Sequence, residues 1–170
     1  MKKIYIAFTL LINTLSVFSQ NYYNPYQKYK SSVRPYSITI PVSFQKKEPI
    51  GNNIDLEFTD GFGSSITVNV TNRLKEEYSI TAHDYTKAFL EQTNRTIFPN
   101  YTIISTSKIL LDGQKAFLVE SIGSSSQLKE IECYVFYKDK AYLVTCTAPI
   151  IKFENYRPLF EKAIHSIDFE

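Results

Sequence analysis

Two histidines and two cysteines in 170 residues leave little for the commonest site chemistries. His83 stands beside the expected start of one helix and His165 near the end of another, so both read as surface or capping residues. Zinc asks for several nitrogen or sulfur ligands at close spacing, and that pattern is missing. No G-x-S-x-G elbow occurs, and neither Cys133 nor Cys146 belongs to a C-x-x-C pair. The run Asp60-Gly61-Phe62-Gly63-Ser64-Ser65 has phosphate-loop colouring but lacks the key Lys and a following helix, so it reads as a hairpin turn. Glu130 and Glu132 share one face of a strand, as glycosidase carboxylates do, yet a pair spaced by two reads first as a solvated strand edge. The expectation is therefore no catalytic, cofactor-binding or metal residue, no cofactor, and a protein that is not an enzyme.

Net charge is scarce as well. The chain carries +2, from 19 basic and 17 acidic residues, and without Lys2 and Lys3 the balance is 17 against 17. A neutral domain exerts no general pull on nucleic acid or anionic membrane, which argues against both as partners. Long apolar runs are limited to one. Ile4 to Phe18 follows Lys2 and Lys3, and Val17 and Ser19 supply small side chains for a cut before Gln20. Residues 1–19 thus read as a cleaved signal peptide, with an uncleaved anchor as the alternative; a run of about fifteen is short for a membrane span. The expected location is extracytoplasmic, periplasmic or secreted, with no integral membrane segment after signal removal.

What is present in excess is tyrosine, 13 against 12 Phe and no Trp. Tyr22, Tyr23, Tyr26 and Tyr29 crowd residues 20–35, a polar stretch with Pro25 and Pro35 and neither structural period. It reads as a flexible leader outside the fold, or as an aromatic arm that contacts a partner.

Residues 36–170 are expected to form a single domain. Ser37–Ile40, Ile54–Thr59 and Ser65–Thr71 read as strands, with Gln45–Asn53 as a loop. Thr81 and Asp84 form a capping-box pattern, and Ala82, Tyr85, Phe89, Thr93 and Ile97 recur at helical spacing, which predicts a helix over Ala82–Phe98. Tyr101–Leu111 and Gln114–Ile122 form a hairpin around Asp112-Gly113, and Leu128–Lys138 and Ala141–Thr147 another around Asp139-Lys140. Asn155–His165 is the second helix, with Pro158 expected in its first turn, and Ser166–Phe169 a closing strand. The order predicts an α+β fold: an antiparallel sheet of about six to eight strands sandwiched by two main helices.

With Asp139 and Lys140 as a two-residue loop, Cys133 faces Cys146 at a non-hydrogen-bonded position, where side chains approach most closely. The pair is a disulfide candidate in an oxidising compartment; the alternative is two buried thiols packed as small apolar groups.

Several local patterns, in this order, resemble the PsbP-like fold family, which includes bacterial envelope proteins of the DcrB type. They are Tyr36-Ser37-Ile38-Thr39-Ile40-Pro41, Leu111-Asp112-Gly113-Gln114-Lys115-Ala116, Lys140-Ala141-Tyr142-Leu143-Val144-Thr145, and Phe153 to Phe169 with Tyr156, Pro158, Phe160 and Ser166. Phe44 stands where the family often has Trp. The resemblance implies a sheet between helices and a role in binding or assembly. The expected function is an exported, non-enzymatic binding or assembly protein of the cell envelope with an unidentified protein partner. The alternative is a carrier of an apolar small molecule in a pocket between helix and sheet.

Overall fold

A computed structural model describes residues 25–123 and 127–170. Along these the chain forms β1 (Tyr26–Lys30), β2 (Tyr36–Pro41), β3 (Gln45–Lys47), β4 (Ile54–Thr59), β5 (Ser65–Asn72), α1 (Lys87–Ile97), β6 (Thr102–Leu111), β7 (Gln114–Ile122), β8 (Leu128–Tyr137), β9 (Lys140–Pro149), α2 (Phe153–His165) and β10 (Asp168–Phe169). β3 to β9 make a seven-stranded antiparallel sheet in the order β3-β4-β5-β9-β8-β7-β6. β1, β2 and β10 make a smaller sheet with β2 in the middle.

Period-two alternation decides which side of the large sheet each residue meets. Ile66, Val68 and Val70 of β5, Ile131, Cys133 and Val135 of β8, and Tyr142, Val144, Cys146 and Ala148 of β9 point one way. They pack with Tyr36, Ile38 and Ile40 of β2 and with Phe153, Phe160, Ala163 and Ile164 of α2 into the main core. Each large side chain buried there contributes roughly 2–3 kcal/mol. Phe117 and Val119 of β7 point the other way, into a smaller cluster with Ala82, Leu90 of α1, Tyr101 and Ile103. The helices therefore lie on opposite faces, called below the α2 face and the α1 face. α1 covers only part of its face; towards β9, β5 and β4 that face carries half-buried Thr145, Thr147, Thr67, Asn69 and Glu57 instead.

The expected Asp112-Gly113 turn is present: Leu111 pairs with Gln114, and both loop residues have positive φ, 46° and 75°, as a type I′ turn requires. Asp60 also acts as expected, closing the β4–β5 turn by accepting from the Phe62 and Ser64 amides at 2.7 and 3.0 Å. The Tyr156 hydroxyl of α2 donates to its other oxygen at 2.5 Å and ties that turn to the helix.

Five expectations are corrected. Residues 26–30 are not a leader outside the fold but β1, paired along β2 from Tyr26↔Pro41 to Lys30↔Ser37. Backbone pairing, rather than an apolar period, makes this strand, which is why composition missed it. Tyr29 packs on Phe58 at 4.6 Å between ring centroids, and Lys28 and Lys30 pair with Asp168 and Glu170. Within the expected loop 45–53, Gln45–Lys47 is an exposed edge strand against β4. The capping box forms, with the Thr81 amide donating to Asp84 at 2.6 Å, but it heads a single 3₁₀ turn. Tyr85 then turns extended, and Thr86 caps α1 afresh by accepting from the Phe89 amide at 3.2 Å. Pro158 lies sixth in α2, a turn later than expected.

The fifth concerns the cysteines. Tyr137 pairs with Lys140, so the loop is Lys138-Asp139, with Lys138 at φ 53°. Cys133 then faces Val144, and Cys146 faces Ile131, a diagonal relation too wide for a disulfide. Both are free, fully buried thiols. Burial pushes Cys133 up to about 12 and raises Cys146 as well, which leaves both protonated and unreactive.

Candidate functional site

β8 runs between β7 and β9, so the residues on its α1 face cannot lie at an edge. Glu130 stands between Ser121 of β7 and Thr147 of β9, and Glu132 between Val119 and Thr145. Glu132 is only 8% exposed. The solvated-edge reading of this pair is therefore wrong, and the reason is topological: four strands flank β8 on one side and two on the other.

Two phenols from the same face meet Glu132. Tyr101, just before β6, donates its hydroxyl to Oε2 at 2.6 Å, and Tyr134, two residues along β8, reaches the same oxygen at 3.4 Å. Burial raises the Glu132 carboxyl above its ordinary range, against the lowering effect of both phenols. Burial foremost, then the charge of Glu132, hold both phenols far above the usual tyrosine value. Burial, and then Glu132, push Glu130 up to about 7. No Lys or Arg is among the groups that act on either carboxylate.

These groups open on a cleft of about 270 Å³ that Asn94 and Phe98, at the end of α1, roof and that Leu143 of β9 floors. Gly123 borders it: a Cβ there would stand 3.1 Å from Glu130 Oε1, so glycine leaves the room in which that carboxylate sits. A carboxyl near neutrality beside a buried one can exchange a proton or hold a cation.

A second cleft, of about 380 Å³, opens on the same face at the other end of α1. Arg73, Leu74, Ile80, Tyr85, Phe89 and Phe136 line it. Tyr85 joins the two, since its ring lies 5.4–6.4 Å from those of Phe89, Phe117, Tyr134 and Phe136. The Arg73 guanidinium sits 4.3 Å over the Phe136 ring. Around this cleft Leu74, Tyr78, Ile80 and Phe89 are 65%, 47%, 42% and 50% exposed. That is a large apolar surface to leave in water.

Of the residues singled out in the sequence, Tyr22 and Tyr23 lie outside the described residues. Tyr26 and Tyr29 face inward contacts: the Lys162 ammonium sits 3.5 Å over the Tyr26 ring, and Tyr29 packs on the core. The His83 ring nitrogen Nε2 lies 2.9 Å from the Ile109 carbonyl and pins the 3₁₀ turn to β6; His165 is exposed. Tyr101, Tyr134, Asn94 and Phe98 were not singled out. Their signal was available for Tyr134 only, which shares the parity of Glu130 and Glu132 along β8.

No family model matches the chain, and no curated protein matches it in sequence. Solved structures do match in fold. The cyanobacterial PsbP protein CyanoP of Synechocystis sp. PCC 6803 superposes with a TM-score of 0.66 at 14% identity, over 86% of this chain and 93% of its own. The Ran-binding protein Mog1p of Saccharomyces cerevisiae gives 0.53 at 8% identity, over 85% and 95%. LpqN of Mycobacterium tuberculosis, involved in cell envelope biogenesis, gives 0.52 at 9%, over 85% and 91%. At these identities the shared property is the PsbP-like α+β fold.

Proposed function

We propose that this chain is an exported, non-enzymatic binding module of the cell envelope, akin to the DcrB type, which docks a protein partner on its α1 face. The observation that carries the reading is the exposed apolar surface of Leu74, Tyr78, Ile80 and Phe89 around an aromatic cleft. Burying such side chains against a partner is favourable by roughly 25 cal/mol per Å² of apolar surface, and aromatic anchors beside an Arg are the usual hot spots. The basic and apolar first twenty residues support export, and the fold is shared with LpqN, which is involved in cell envelope biogenesis. Among the described residues no helix is long and apolar enough to cross a membrane.

The test is in-cell cross-linking followed by capture, comparing the natural chain with a Leu74→Ser/Phe89→Ser variant. Both side chains are exposed, so thermal unfolding is expected to be unchanged while one reproducible partner disappears. An identical set of captured proteins from both chains overturns the reading. The same cleft supports one other reading, a carrier of an apolar small molecule. It predicts a bound ligand, seen by native mass spectrometry of the purified chain and lost in the same variant.

A further inference from the structure

We propose that the cleft between the end of α1 and the centre of the large sheet binds a small alkylammonium group, with Glu130 as its counter-charge and the Tyr101, Tyr134 and Phe98 rings as its walls. This site is separate from the apolar docking surface, and the inference does not rest on it.

Glu130 makes no hydrogen bond or ion pair with any described residue, although it lies in the wall of a cleft on a central strand. Its neighbour Glu132 already accepts from two phenols through one oxygen, Oε2. A carboxylate set in a cleft wall without a partner gives up part of its hydration with no bond in return. A ligand carrying N–H donors supplies that bond.

The walls narrow the class. An ammonium has donors for a carboxylate, and its charge is attracted to aromatic faces within about 6 Å of the ring centroid. A divalent cation asks for six or more oxygen ligands, and Glu132 has one oxygen already engaged by phenols. An anion is repelled by both acids. A volume of about 270 Å³ admits only a short chain. The Gly123 backbone leaves the Glu130 carboxylate clear on its other side.

The chemistry is shared by a free amine and by a lysine side chain presented by a partner, so the experiment uses both. The purified protein is titrated by heteronuclear NMR with n-butylammonium, with Nα-acetyl-lysine N-methylamide, and with n-butanol as the neutral isostere. Saturable shifts centred on Tyr101, Glu130 and Tyr134 are expected for butylammonium, about tenfold tighter than for butanol. If the source is a free amine, the lysine amide binds more weakly than butylammonium; if it is a partner's lysine, at least as well. Glu130→Gln is expected to lose about tenfold in affinity. Tyr134→Phe, which keeps the ring, is expected to lose much less and shows that the variant fold still binds. Equal binding of butanol, unchanged binding by Glu130→Gln, no saturable binding of either amine, or Ca²⁺ displacing butylammonium from the site each overturns the proposal.

Discussion

Glu120 and the pair Glu130/Glu132 are near neighbours in the large sheet: Glu120 pairs with Ile131, the residue between the other two. They point to opposite faces, and the faces treat them oppositely. On the α2 face Arg157 grips Glu120 with two hydrogen bonds of 3.1 and 2.9 Å, and Lys129 adds a third charge contact at 2.6 Å. Arg157 and Lys129 also reach Glu154, and Arg157 lies 3.8 Å from Glu161, so a set of five charges clamps the start of α2 to β7 and β8. The Arg157 hydrogen bonds hold Glu120 below the usual carboxylate range and Glu154 down at about 2. On the α1 face no described Lys or Arg reaches the pair, and Glu130 is pushed up to about 7. The apolar packing differs in the same sense. α2 buries Phe153, Phe160, Ala163 and Ile164, whereas Leu90 is the one buried residue among the described side chains of α1. Among the described residues one face is complete; the other holds charge and apolar surface for which these residues supply no match.

The largest effect that separates the faces is a cavity. Phe160→Ala is expected to cost about 4 kcal/mol, because its closely packed neighbours cannot collapse into the space; Leu90→Ala, under a thinly covered helix, is expected to cost about 2. Urea unfolding monitored by tyrosine fluorescence measures both. Equal losses would abolish the contrast in packing.

The charge clamp comes next. Arg157→Met removes the two-pronged contact and leaves the largely buried Glu120 with Lys129 alone, at an expected cost of about 2 kcal/mol. Adding Glu120→Gln to that variant is expected to restore part of the loss, since the unpaired charge goes with it. A double-mutant cycle reads the coupling directly; additive losses would mean that the clamp contributes nothing as a unit.

The α2 face was largely legible in the sequence and the α1 face was not, for reasons that can be traced to residues. Ile66, Val68 and Val70, or Tyr142, Val144 and Cys146, announce their strands through a period that burial itself imposes. Asp112-Gly113 announces its turn because few dipeptides tolerate two positive φ angles. The Cys133–Cys146 pairing failed on a point the apolar pattern cannot detect. Moving the loop from Asp139-Lys140 to Lys138-Asp139 slides the register by two, which returns every side chain to its own face. Only a one-residue slip would have inverted the pattern. β1 was missed because its stability comes from backbone pairing and from Tyr29, not from a period. The Glu130/Glu132 pair was visible, and so was the hairpin of its strand with β9, but not the pairing with β7 that makes the strand central. What could not be read was the arrival of Tyr101 from thirty-one residues away, or of Asn94 and Phe98 over the top. Such contacts depend on where α1 lies, and the helix begins five residues later than its capping box suggests.

The finest test of the contrast uses pH. Glu130 binds its proton more tightly folded, near 7, than unfolded, near the ordinary 4.5. Its contribution to stability is therefore complete below about pH 4.5 and is lost as pH rises through 7, because the folded state must then hold a desolvated charge. Glu130→Gln mimics the protonated form at every pH. It is expected to be more stable than the natural chain by about 1–2 kcal/mol near pH 8, with the gain fading towards pH 5. Glu120→Gln is expected to behave with the opposite sign. The Glu120 carboxyl titrates below its unfolded value because Arg157 holds it, so its contribution is present above the unfolded value and is lost as pH falls through the folded one. That variant is less stable at neutral pH and converges on the natural chain in acid. Two glutamates on adjacent strands would then give stability differences of opposite sign near pH 8. Thermal unfolding of the three chains across that range measures both, and differences of the same sign would mean that the two faces hold their acids alike.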